Sequence, residues 1–220
     1  AKRLLEKFGL EYNGLKCGLH PPLYDKNTKD EITYFHNNCV GKHILFLALC
    51  KENGWDIETY DRIENPLQQK VKDKIYDLCG VSKDYPVTKD GCGVPILAMP
   101  LKNMLNGFIN LFCNPKYEKI KNAYLENPYI IGGKNRLDTE IIQNSDGLVA
   151  KVGAGGLCAV VNIKEQDALI VKINDCNMDT RRLVVFEALN KLGWSDYKCD
   201  KSIKTLHGDI VGEIKIELPL

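Results

Sequence analysis

The stretch Leu148–Ile173, LVAKVGAGGLCAVVNIKEQDALIVKI, decides the fold class. Three apolar runs, Leu148–Val152, Leu157–Ile163 and Ala168–Ile173, are rich in Val, Ile, Leu and Ala. A glycine-rich turn at Gly153–Gly156 and a polar turn at Lys164–Asp167 separate them. Short β-rich runs joined by such turns predict an antiparallel sheet. Thr180–Leu192 follows as an amphipathic helix closed by Gly193, and Ile210–Leu218 alternates as a late strand.

Upstream of about residue 145 the texture is helical. Ala1–Phe8 ends at Gly9, Gly41–Asn53 at Gly54, and Pro66–Cys79 at Gly80. Proline inside the start and glycine past the end is the expected asymmetry of a helix. Pro100–Cys113 and Tyr117–Glu126 continue the pattern, and Asn37 or Asn38 is available to cap the helix from Gly41. The expected organisation is a mainly helical region over residues 1–145 and an antiparallel sheet with a packed helix over 146–220. This is a two-layer α and β architecture of the α+β kind.

The 220 residues include 30 Lys and Arg against 29 Asp and Glu, so no basic face is implied and nucleic acid is not an expected partner. No apolar run reaches membrane-spanning length; the longest, Ile44–Cys50, suits a buried helix. Nine cysteines without a tight framework point to a reducing, cytoplasmic setting in which most are core thiols. The chain starts at Ala1 on helix-like sequence, so the true N-terminus is expected upstream.

Two boxes place cysteines among glycines and polar neighbours: Asn38-Cys39-Val40-Gly41-Lys42-His43 and Asp90-Gly91-Cys92-Gly93-Val94-Pro95. Each is read as preceding a helix. A helix N-terminus favours a thiolate at Cys39 and disfavours a protonated Lys42, whose neutral amine then becomes available. Two thiolates and an amine suit zinc. Asp90 would support that site or hold a substrate ammonium. The plain alternative is buried thiols and tight turns. Lys151, in the apolar run Leu148–Val152, must pair with an acid, reach solvent or serve chemistry. In Arg136-Leu137-Asp138-Thr139 a guanidinium and a carboxylate follow Gly132-Gly133; they would grip an amino acid's two charges, or Asp138 would simply cap a helix. Ser195-Asp196-Tyr197-Lys198 spells Ser-x-x-Lys but follows a helix stop, so it is no nucleophile box.

Taken in order, these boxes resemble the L-asparaginases of the Rhizobium etli type (class 3, the asparaginase II family). The similarity also runs through Cys17-Gly18-Leu19-His20-Pro21-Pro22, Asn65-Pro66-Leu67-Gln68, Lys172-Ile173-Asn174-Asp175 and Gly208-Asp209-Ile210-Val211-Gly212-Glu213. The resemblance implies a fold like that of glutaminases and serine β-lactamases. It implies Cys39, Lys42 and Cys92 as zinc ligands, and Lys151-Val152-Gly153 as the counterpart of a Lys-Thr-Gly strand box. Asp90 and His43 would line the pocket. The implied activity is hydrolysis of L-asparagine to L-aspartate and ammonia through a serine acyl-enzyme, by a homodimer. Family members carry an upstream Ser-x-x-Lys segment that this sequence lacks, so these residues alone are expected to be an inactive, self-associating C-terminal portion. The rival expectation is a non-catalytic amino-acid-binding protein on an enzyme fold. Val40 and Gly155 stand where the family usually has Ser and Glu.

Overall fold

A computed structural model describes residues 1–22 and 28–218. The chain forms two compact units, Ala1–Asn103 and Met104–Leu220. Among the described residues no helix is long and apolar enough to cross a membrane.

The first unit is built on α1 (Lys2–Phe8), α2 (Val40–Asn53) and α3 (Pro66–Cys79). Glycine ends each helix for one reason: Gly9, Gly54 and Gly80 adopt the left-handed conformation that satisfies the last carbonyls without a Cβ penalty. Asn65 starts α3, its Oδ1 accepting from Leu67 N, with Pro66 in the first turn. Ile44, Leu47 and Cys50 of α2 are buried with Leu5, Leu15, Tyr60, Leu67 and Val94. A short hairpin follows, β1 (Val87–Lys89) and β2 (Pro95–Leu97), paired antiparallel.

The helix α4 (Leu101–Phe112) carries the chain into the second unit. There α5 (Glu118–Glu126), α6 (Pro128–Ile131) and α7 (Leu137–Gln143) precede a three-stranded antiparallel sheet. Its strands are β3 (Leu148–Val152), β4 (Leu157–Asn162) and β5 (Asp167–Lys172), in sequence order, with Lys151 opposite Ala159. Side chains alternate across the sheet. Leu148, Ala150, Val152, Cys158 and Val160 face a core closed by α7 and by α8 (Met178–Lys191). Val149 and Val161 face the opposite side, against Phe112. The helices after Met104 thus belong with the sheet they cover, and the unit boundary lies upstream of the change in sequence texture near residue 145. The late alternating segment forms only β7 (Ile210–Glu213), which pairs with β6 (Ser202–Lys204) in a hairpin of its own.

Candidate active site

The first constellation lies where α2 begins. Cys39 is the N-cap residue of that helix, and its N–H donates to Asn37 Oδ1 at 2.8 Å. Asn37 also donates to Cys17 O and Gly18 O, so one buried amide ties the Cys17 loop to the helix start. Opposite stands the turn joining β1 to β2. Asp90 N donates to Val94 O and Gly93 N to Asp90 O, both at 2.8 Å, with Gly93 at φ 92°. That φ is open to glycine and costly for most other residues. Cys92 is therefore presented by a hairpin turn, not by a helix start as its sequence implied.

Across this gap the Cys39 and Cys92 sulfurs and an Asp90 oxygen all lie within 4.8 Å of one another. Lys42 Nζ donates to Asp90 Oδ2 at 3.2 Å, and Cys92 Sγ lies 3.5 Å from the same oxygen. Burial, reinforced by Cys92 and Asp90 and opposed by Lys42, pushes the Cys39 thiol up to about 11. Burial also acts most strongly on Lys42, in the downward sense. The negative forms of Cys39 and Cys92 and the Asp90 carboxylate outweigh it, so Lys42 sits above its ordinary value. This corrects the expectation of a neutral amine and a ready thiolate: without a cation, Lys42 is an ammonium paired with Asp90. The donor set nonetheless fits zinc, with two sulfurs, a nitrogen and a carboxylate converging.

His43 is fully buried. Its Nδ1 lies 2.7 Å from the Tyr60 hydroxyl, which itself accepts from Lys16 N at 2.8 Å. Burial, aided by Lys42, lowers His43 to about 4, so the ring is neutral at pH 7.

The second constellation belongs to the sheet unit. Asp138, on α7, is wholly inaccessible to solvent. Its Oδ2 accepts from Lys151 Nζ at 3.2 Å and from Val152 N at 3.3 Å, and its Oδ1 accepts from Thr139 N at 3.3 Å. Lys151 Nζ also donates to Val152 O at 3.0 Å. Thr139 Oγ1 sits 2.9 Å from Gly133 O and 3.1 Å from Pro128 O, which fixes the start of α7. Gly132 is required beneath it, since a Cβ there would stand 2.3 Å from Asp138 Oδ1. Arg136, half-buried, holds the N-cap position of α7, and Asp138 is the second residue of that helix. Neither caps it through a side chain, so Asp138 turns inward to the lysine instead.

The family model for L-asparaginase II matches residues 1–216. The chain belongs to the L-asparaginase II family. A comparison with curated proteins returns no match. Membership carries an amidohydrolase of the asparaginase type, acting on a small molecule.

Against that identity, the structure brings Cys39, Lys42, Asp90 and Cys92 into one cluster and Asp138 and Lys151 into another. Sequence reasoning paired Asp138 with Arg136, its neighbour in the chain, and missed the lysine thirteen residues on. The signal was present: a lysine in an apolar strand demands an acid, and Asp138 is the acidic residue of the preceding glycine-rich turn. Tyr60 was also missed, because nothing local marks it as the partner of a histidine. Ser195 accepts from Tyr197 N in the coil after α8, in keeping with its rejection as a nucleophile.

Proposed function

We propose that this L-asparaginase II family member hydrolyses L-asparagine to L-aspartate and ammonia through a serine acyl-enzyme, on a fold similar to that of serine β-lactamases and glutaminases. The observation that carries the reading is the Lys151–Asp138 pair at 3.2 Å. One oxygen of a buried carboxylate holds the amine at the end of β3, immediately before a glycine loop, while the lysine side chain keeps 38% of its surface exposed. An amine anchored on one side and open on the other can pass a proton to or from a bound group.

In this mechanism a serine hydroxyl attacks the side-chain amide carbon, and the C–N bond breaks as the nitrogen takes up a proton and leaves as ammonia. Water then cleaves the ester to release aspartate and regenerate the serine. Lys151 is the candidate to move protons, and Asp138 keeps its Nζ in place. Arg136, at the start of α7, is the candidate to meet a substrate carboxylate. Cys39, Lys42 and Cys92 would hold zinc, with Asp90 beside them. A bound zinc ion supplies positive charge and a fixed frame for orienting a polar substrate. Lys42 would have to release its proton to solvent to serve as a ligand, leaving its present partner Asp90 as a carboxylate beside the site.

The test is ammonia release by the full-length protein on asparagine, glutamine and other small amides. Asparagine should be turned over, and Lys151→Met should lower kcat at least about a hundredfold. Near-normal turnover by that variant would remove Lys151 from the mechanism.

A further inference from the structure

Arg181 is an unusual residue to find where it is. It is 4% exposed, in the first turn of α8. Its Nη1 donates to Gly153 O at 3.0 Å and Leu157 O at 3.1 Å. Among the described residues it has no carboxylate within ion-pair distance, and its enclosed Nε has no hydrogen-bond partner. Asp138 attracts it from beyond ion-pair distance, and a buried cation without a paired counter-charge is unfavourable. A cation in the first turn of a helix is unfavourable again, because it faces the positive end of the dipole. For packing alone, an apolar side chain of similar length serves better.

What Arg181 touches explains the choice. Gly153 and Leu157 are the two residues at the neck of the β3–β4 hairpin, and Gly153 N donates to Leu157 O at 2.9 Å. Between them lies Ala154-Gly155-Gly156, with both glycines at positive φ. Glycine-rich backbone is the freest the chain can offer, and it begins two residues after Lys151. The next arginine, Arg182, reaches the other way and pairs with Glu140 of α7, the helix that carries Asp138. One helical turn therefore grips both carriers of the pair: Arg181 the hairpin neck behind Lys151, Arg182 the helix of Asp138.

We propose that Arg181 is the positioning residue for Lys151, tying the hairpin neck to α8 so that the amine stays seated on Asp138. The proposal rests on the reading that Lys151 moves protons in amide hydrolysis, and its test separates the two. In the full-length protein, Arg181→Met and Arg181→Lys are compared with wild type at a temperature where all three are folded by circular dichroism. The first readout is the rate at which an amine-acylating reagent labels Lys151, followed by mass spectrometry with exposed Lys70 of α3 as internal reference. The second is the division of effect between kcat and KM.

In Arg181→Met, Lys151 labelling should rise about fivefold relative to Lys70, and kcat should fall about tenfold to a hundredfold with KM changed less than about threefold. Arg181→Lys, which keeps a donor at the neck, should recover most of both. A merely structural arginine would lower the melting temperature without moving relative labelling or kcat. Lys151 labelling within about twofold of wild type in both variants overturns the proposal, as does undiminished kcat in Arg181→Met when Lys151→Met is inactive. Faster labelling in Arg181→Met alongside an active Lys151→Met upholds the positioning and rejects the role given to Lys151.

Discussion

Among the described residues, two of the lysine–aspartate pairs share one separation: Lys42–Asp90 and Lys151–Asp138, each at 3.2 Å. They are not equivalent. Asp90 keeps 31% of its side-chain surface in water and rides a hairpin turn, whereas Asp138 keeps none and sits on a helix. Around Asp90 the neighbours are thiols that a soft cation can claim. Around Asp138 they are backbone N–H groups that nothing will displace. Equal distances thus describe one pair poised to exchange partners and one that is locked. Burial and the identity of the remaining neighbours decide which is which.

The widest gap between the pairs should be in stability. Asp138→Ala leaves Val152 N and Thr139 N without their acceptor and the Lys151 amine without its anion. It should cost about 3 kcal/mol in urea unfolding, whereas Asp90→Ala should cost no more than about 1 kcal/mol. Equal costs would abolish the distinction.

Zinc should separate them in the opposite sense. Equilibrium dialysis should show zinc bound by the protein, with Cys39→Ala or Cys92→Ala removing it. Asp90→Asn should weaken the affinity about tenfold to a hundredfold, and Asp138→Asn should leave it unchanged. Zinc retained by the double cysteine variant would break the comparison at its first member.

Gly132→Ala tests how tightly the second pair is enclosed. The added Cβ meets Asp138 Oδ1 at 2.3 Å and Thr139 Oγ1 at 2.4 Å, so α7 must shift. The expected loss is about 2 kcal/mol by thermal melting, with no comparable loss for Gly91→Ala, whose site is open.

The most gradual expected effect is alkaline. Burial pushes the Cys158 thiol up to about 12, with Asp138 adding to it and Arg181 and Lys151 opposing. Its folded value lies above the ordinary 9.0, so its contribution is fully present below pH 9.0 and is lost as pH rises toward 12. The stability curve should fall by about 1 kcal/mol per pH unit in that window. Cys158→Ala should flatten the fall. An unchanged slope would mean that other groups dominate.

Much of this was legible in the sequence. The α3 span Pro66–Cys79 and the strand Leu148–Val152 follow directly from proline, glycine and apolar spacing. The helix α2 begins one residue before its expected start, because Asn37 bonds to Cys39 N and does not cap the helix itself. The three-residue strands of the β1–β2 hairpin were not legible: their residues are exposed or half-buried, and no alternation survives over so short a run. Nor were α6 and α7, which are shorter than the periodicity that would reveal them. At the site, the thiols and both lysines were found from residue type. The charge state of Lys42 was not, because it depends on Asp90, forty-eight residues away. A helix dipole is a local property of sequence; a salt bridge across a loop is not.

The tight turn that carries Asp90 and Cys92 has one more consequence. Its two backbone hydrogen bonds, Asp90 N to Val94 O and Gly93 N to Asp90 O, put a carboxylate and a thiol on a single rigid clip. A cation taken from both would pull on β1 and β2 together, along the register that pairs Lys89 with Pro95. Loading the site would then brace a three-rung hairpin too short to hold itself. The ion would act as the fastener of its own receptacle, and hydrogen exchange at Asp90, Gly93 and Ala98 would slow in step with occupancy.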